Sequence, residues 1–166
     1  MTQELFLILH NIRSAHNVGA LFRSADGAGV REIVLTGYTP LPVKGDKLVL
    51  TPAEKSLEKT ALGAEKSMAW KNFETLPLGV EYLREKGVEI IALEQSDASV
   101  DYRKFRIKKS VALIVGNEVE GLLPEELALA DAIIDIPMRG AKESLNVSVA
   151  GSIALYELAA TIEKPL

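Results

Sequence analysis

The chain has 166 residues, the length of one domain, and no cysteine, so disulfides and thiolate metal sites are excluded. With 48% hydrophobic and 25% charged residues it has the composition of a globular protein with a full core. A net charge of −4 and a pI near 5.3 argue against a broadly basic nucleic-acid binder, although the run RKFRIKK (103–109) forms a local basic stripe.

The N-terminal MTQELFLILHNIR has no basic start, and its apolar run is too short for a signal peptide or a membrane span. A cytoplasmic protein with no membrane and no metal is expected. Within that segment LFLILH (5–10) reads as a first strand, apolar at nearly every position as in strands covered on both faces. A helix is expected over about 17–28, then the strand EIVLTG (32–37). GYTPLPVKGD (37–46), with two prolines and two glycines, reads as a surface loop and a candidate lid. Helices over about 52–62 and 75–86 follow, with an edge strand near Ser67–Trp70 between them. Next come strands VEIIAL (88–93) and VALIVG (111–116), a short helix near 124–129, the strand AIIDIP (132–137) and a closing helix over 144–163. This alternation predicts an α/β fold, a mainly parallel sheet flanked by helices, in a single domain over 1–166.

Ligands of open parallel sheets gather beyond the carboxyl ends of the strands. Three of the segments that follow strands stand out. In NIRSAHNVGALFRSADGAG (11–29), Ser14 or Asn17 is placed to cap the helix. Arg23 lies two turns in and leans back over Gly19 and Ala20, both small. It either pairs with a carboxylate such as Asp26 or serves an anion pocket. Arg13 and His16 share the same loop, whereas His10, at a strand end, reads as structural. In VALIVGNEVEGLLPEEL (111–127), Gly116 at the strand end would let a ligand ring approach the backbone. Glu118 is a base, an acceptor or a solvated turn residue, and Pro124 with Glu125 and Glu126 is ordinary helix-start chemistry. In IDIPMRGAKESLNVSVA (134–150), a loop shaped by Met138 and Gly140 leads into a helix opening near Ser144, whose free amides suit an anion. Capping needs only one of Ser144 and Asn146, so the other is surplus to it.

NVGALFRSA (17–25), IVGNEVEGL (114–122) and IPMRGAKESLNVSVA (136–150) stand in the order and relative positions of the three motifs of SpoU-type (TrmH-like) RNA ribose 2′-O-methyltransferases, of the SPOUT superfamily. KTALGAE (59–65) and IIALEQS (90–96) are similar as well, so the resemblance spans about residues 5–160. It implies S-adenosylmethionine as methyl donor and an RNA ribose hydroxyl as acceptor, with a transfer RNA D-loop guanosine favoured over a ribosomal RNA loop. It also implies a deep C-terminal trefoil knot, which periodicity alone would never suggest, and a homodimer with the active site completed across the interface. The chain resembles the catalytic domain alone, with no appended RNA-binding domain expected. A non-catalytic RNA-binding assembly factor on the same fold is the alternative outside the enzymes. An ordinary dinucleotide-binding fold is disfavoured, because no G-x-G-x-x-G follows the first strand.

Carried over residue by residue, the resemblance makes Arg23 the catalytic arginine, supported by Asn17. Ser144 and Asn146 line the methyl-transfer site, and Glu118 is the second motif's glutamate. The cofactor is expected at Leu93, Glu94, Gly116, Asn117, Glu118, Gly121, Ile136, Met138, Ser144 and Leu145. RNA is expected at Arg13, His16, Arg23, Arg103, Lys104 and Arg106. Arginine is an awkward base, its pKa lying above about 12. Clamping the RNA phosphate and polarising the hydroxyl is therefore the preferred role for Arg23, with direct proton abstraction as the competitor.

Overall fold

A computed structural model describes residues 2–162. Its seven strands form one all-parallel sheet in the order β3-β2-β1-β6-β4-β7-β5. In chain order the elements are β1 (Leu5–His10), α1 (Ala15–Ala28), β2 (Glu32–Thr36), α2 (Pro52–Ala61), α3 (Ala64–Ser67), β3 (Trp70–Phe73), α4 (Leu76–Arg84), β4 (Glu89–Leu93), β5 (Val100–Asp101), β6 (Val111–Val115), α5 (Pro124–Leu127), β7 (Ala132–Asp135) and α6 (Val147–Thr161).

The apolar strand runs follow from burial on both faces. Leu5, Leu7 and Leu9 of β1 point into a core shared with α1, α2 and α6. Phe6 and Ile8, the alternate residues, point into a second core beneath α4 and beside α5. β1 is central: Leu7 sits opposite Ile33 on one side and Leu113 on the other. The helices begin and end at recognisable caps. Ser14, not Asn17, caps α1 by accepting from the Asn17 amide, and Gly29 at φ 76° closes it. Thr51 and Glu54 form a reciprocal capping box at the start of α2.

Three expectations need correction. The extra edge strand is Trp70–Phe73, because Ser67 still belongs to the short helix α3. The two-residue β5 was not expected at all; it pairs Val100 with Ile134 at the sheet edge, too short to leave a pattern in the sequence. α6 starts at Val147 rather than Ser144, and Asn146 is its cap. α6 ends at Thr161, where Ile162 is extended; residue 163 of the expected helix lies outside the described residues.

Because every strand is parallel, the segments 11–14, 37–39, 94–99, 116–123 and 136–146 all emerge at the same edge of the sheet. That gathering positions the site. No helix among the described residues is long and apolar enough to cross a membrane.

Candidate functional site

A cleft of about 490 Å³ opens at the carboxyl ends of β4, β6 and β7. Its size is that of a pocket for a drug-sized ligand. Three loops and the start of α6 line it. Every residue expected at the cofactor is there: Leu93 and Glu94 after β4, Gly116, Asn117, Glu118 and Gly121 after β6, and Ile136, Met138, Ser144 and Leu145 after β7. Gln95, Val119, Glu120, Asp135, Val147 and Ala150 line it too and were not foreseen. Gln95 had a signal, since it directly follows Leu93 and Glu94. Its Nε2 donates to the Glu143 carbonyl at 2.7 Å and ties the loop after β4 to the loop after β7.

Glu94 shapes the same region. Its carboxylate accepts from the amides of Gln95 and Leu122, both at 2.9 Å. Gly121, at φ 67°, lies directly beneath it, where a Cβ would strike the carboxylate. Gly116 lines the cleft, and the turn beside it also needs a residue without a side chain. A Cβ at that position would meet Gly121 O and the Leu122 side chain at 2.8 Å, so its small size is used by the turn's own packing.

The first motif joins the cleft through Glu118. One carboxylate oxygen accepts from the Arg13 amide at 2.8 Å; the other accepts from the Ser14 amide and from Asn17 Nδ2, both at 3.0 Å. Burial pushes the Glu118 pKa up, but the Arg13 and Ser14 amides and the Asn17 side chain outweigh it and hold the carboxyl below its ordinary value. Of the three readings open in the sequence, this geometry is that of an acceptor. Asn17 is buried, and its Oδ1 accepts from Asn146 Nδ2 at 3.2 Å. A continuous relay, Glu118–Asn17–Asn146, therefore ties the second motif to the first and the first to the third.

Asn146 also resolves the surplus at the start of α6. Its Oδ1 caps the helix, accepting from the amides of Ser148 and Val149 and from the Ser148 hydroxyl. Ser144 is exposed on the cleft wall, with its hydroxyl free among the described residues.

Arg23 is elsewhere. It is exposed and lines a second cleft of about 720 Å³ with Ala20, Ser24, Asp26, Gly27, Lys59, Thr60 and Tyr156. This cleft shares no lining residue with the first. Among the described residues Arg23 makes no ion pair, with Asp26 or with any other carboxylate. Gly19 beneath it lets the backbone of α2 come close: a Cβ there would strike Thr60 and the Leu57 carbonyl. The exposed apolar residues Val149, Ile153 and Tyr156 run along α6 beside this cleft, while Gly151, Ala154, Leu155 and Leu158 of the same helix are buried. A helix apolar on both sides has one face still to cover.

The remaining expected residues are dispersed. Arg13 and His16 are exposed at the start of α1. Arg103 is held by Asp101 through two side-chain hydrogen bonds, which bring the Asp101 pKa down to about 2 despite some desolvation. Arg106 donates to the carbonyls of Arg103 and Phe105. Lys104 is exposed. His10 is buried, its ring bonded to Thr36 Oγ1 at 2.8 Å and Glu126 Oε1 at 2.7 Å, outside the cleft lining. No group of three or more His, Asp or Glu among the described residues is placed to hold a metal.

Known proteins share this fold and much of its sequence. The profile of the SpoU rRNA Methylase family matches residues 4–156. The tRNA (guanosine(18)-2′-O)-methyltransferase of Escherichia coli K12 is 33% identical over 154 residues, which are 93% of this chain and 62% of that protein. The 23S rRNA (guanosine-2′-O-)-methyltransferase of Vibrio vulnificus is 33% identical over 153 residues, 92% of this chain and 58% of that one. The chain thus spans about 60% of the length of these curated relatives. Among solved structures, an AdoMet-bound rRNA methyltransferase from Sinorhizobium meliloti superposes with a TM-score of 0.81 at 29% identity, over 95% of this chain and 56% of that one. A TrmH/SpoU tRNA modifying enzyme from A. aeolicus gives 0.79 at 30%, over 96% and 75%. With the match running from β1 well into α6 and taking in every loop of the cleft, the chain belongs to the SpoU rRNA methylase family.

Proposed function

We propose that this chain transfers a methyl group from S-adenosylmethionine to the 2′-hydroxyl of a guanosine ribose in RNA, with transfer RNA the favoured acceptor. The observation that carries the reading is the cleft itself. Three loops from three strands, matching the family's profile, meet around a space of cofactor size, and the Glu118–Asn17–Asn146 relay ties them together. The lining suits the donor's mixed chemistry. Leu93, Val115, Ile136, Leu145 and Val147 offer apolar contact for a purine, and the Ser144 hydroxyl and loop backbone offer polar contact for the amino-acid end. Both curated relatives named above carry guanosine in their names, one on tRNA and one on 23S rRNA.

S-adenosylmethionine supplies an activated methyl group when bound; the chain's own residues must align the hydroxyl and ease loss of its proton. Glu118, with its acceptor sites taken, holds Asn17 and the start of α1 in place. Asn17 in turn holds Asn146, and Ser144 keeps its hydroxyl for ligand. Arg23 supplies the cation that grips the phosphate beside the target ribose. It lies outside the donor cleft of its own chain, so it serves the cleft of a second copy, docked along Val149, Ile153 and Tyr156. The same reading places the protein in the cytoplasm, as a homodimer.

The C-terminal knot belongs to this proposal. β7 lies between β4 and β5, so the link from β4 to β5 must cross above it. On this reading the chain leaving β7 threads that link before α6 packs against α1, with which it shares the core.

Incubation of the protein with S-adenosylmethionine and either unfractionated tRNA or a 23S rRNA transcript, followed by mass spectrometry of the nucleosides, tests the reading. 2′-O-methylguanosine is expected in the tRNA arm. Its appearance only in the rRNA arm would move the acceptor, and its absence from both would reject the activity.

A further inference from the structure

Tyr38 is a surface residue held through both its backbone and its phenol. It leaves β2 through Gly37, at φ 65°, and is followed by the buried Thr39. The Thr39 hydroxyl lies 3.0 Å from the Leu9 carbonyl and 2.9 Å from the Thr36 carbonyl, and accepts from the Ile12 amide at 3.1 Å. The turn is thus rooted on both sides of Tyr38. The Tyr38 amide donates to Asn11 Oδ1 at 3.2 Å, and Asn11 takes a left-handed conformation at φ 51°. At the other end of the side chain, the phenol oxygen accepts from Asn117 Nδ2 at 2.8 Å. Asn117 is buried, lines the donor cleft, and is fixed by the amides of Val119 and Glu120 on its Oδ1. Despite anchors at backbone and phenol, Tyr38 is 59% exposed.

An aromatic side chain clamped at both ends, exposed between them and bonded to a residue of the cleft has little ordering left to lose on contact. Resting on the RNA-methyltransferase reading above, we propose that Tyr38 is a stacking platform for a nucleobase of the acceptor RNA, next to the ribose presented to the cleft. Stacking on an aromatic ring accepts any base, because each has a π-face. The platform fixes where the strand lies and leaves base identity to other contacts. Its attachment to Asn117 sets the distance between the stacked base and the donor cleft.

The test uses the full chain and unfractionated tRNA, with RNA affinity, S-adenosylmethionine affinity and sedimentation measured for each variant. Tyr38→Ala should weaken RNA binding about tenfold and leave cofactor affinity and oligomeric state unchanged. Tyr38→Leu, which keeps apolar bulk but no π-face, should lose nearly as much. Tyr38→Phe and Tyr38→Trp should stay within about threefold of wild type, because the ring survives and only its anchor changes. Full RNA affinity in Tyr38→Leu, or a changed oligomeric state in Tyr38→Ala, would overturn the platform while leaving the methyltransferase reading standing. A wild-type protein that neither binds nor methylates RNA would overturn both.

Discussion

The first turn of α1 and the turn that carries Arg23 are opposites. Around Ser14 and Asn17 the polar groups are tied within the chain: Ser14 Oγ caps the helix, and Asn17 donates to Glu118 and accepts from Asn146. Two turns on, Arg23 stands exposed with no carboxylate paired to it among the described residues. The first region is preorganised, because its hydrogen bonds are made before any ligand arrives. The second is a charge waiting for a counterpart. On the proposed reading, a site divided in this way would bring its donor pocket ready-made and take its cation from a second copy.

Removing the waiting charge should have the largest effect. Arg23→Ala is expected to lower methyl transfer about 10²–10³-fold while cofactor affinity, read by calorimetry, stays within about twofold. Arg23→Lys should remain nearly as impaired if the side chain is a bidentate phosphate clamp, and should recover if it is a base. If the two halves of the site come from different copies, mixing inactive Arg23→Ala with inactive Asn146→Ala chains should restore about a quarter of the wild-type rate. Half the dimers are then mixed, and one of their two sites is intact. A mixture as inactive as its parents would place both residues in one chain's site.

Disturbing the tied region should act on stability first. Glu118→Gln replaces an acceptor of two amides and a carboxamide, and should cost about 1–3 kcal/mol in urea unfolding. The pH dependence has a definite sign. Because the folded carboxyl is held below its ordinary 4.5, its contribution is fully present above that pH and is lost as pH falls through the folded value. The gap between wild type and Glu118→Gln should therefore narrow below about pH 4.5, and a gap constant down to pH 3 would contradict the account. The smallest effect belongs to the basic stripe. Arg103 and Arg106 are already bonded within the chain, so among the described residues Lys104 is the expected cation of the stripe without a partner. Lys104→Ala should reduce the slope of log affinity against log salt by about 0.7–0.9, without changing the maximal rate.

Much of this was legible in the residues. Strands buried on both faces are apolar throughout, so β1, β2, β4, β6 and β7 stand out, and the post-strand segments point to the edge where the cleft opens. β5 did not stand out, because two residues carry no periodicity. The relay from Asn17 to Glu118 and Asn146 spans more than a hundred residues of sequence, and no local spacing encodes it. The motifs' resemblance brought those residues together before the geometry did. Local reasoning is least complete at the glycines. Gly19 and Gly116 read as points of close approach, and what comes close in the fold includes the backbone of α2 at the first and the Gly121–Leu122 turn at the second. A glycine reports that something is close without saying what.

The sheet order has a further consequence, for the timing of synthesis. Of the seven strands β1 is made before the others, but one of its two neighbours is β6, and Leu5 lies opposite Val111. At roughly 5–20 residues per second, the ribosome needs on the order of ten seconds to deliver that partner. Until then β1, with its run LFLILH, has only β2 to pair with, and half of its backbone is an open edge. Newly made chains therefore pass through a long interval with a strongly apolar strand half unpaired, and that interval is when they are most open to aggregation.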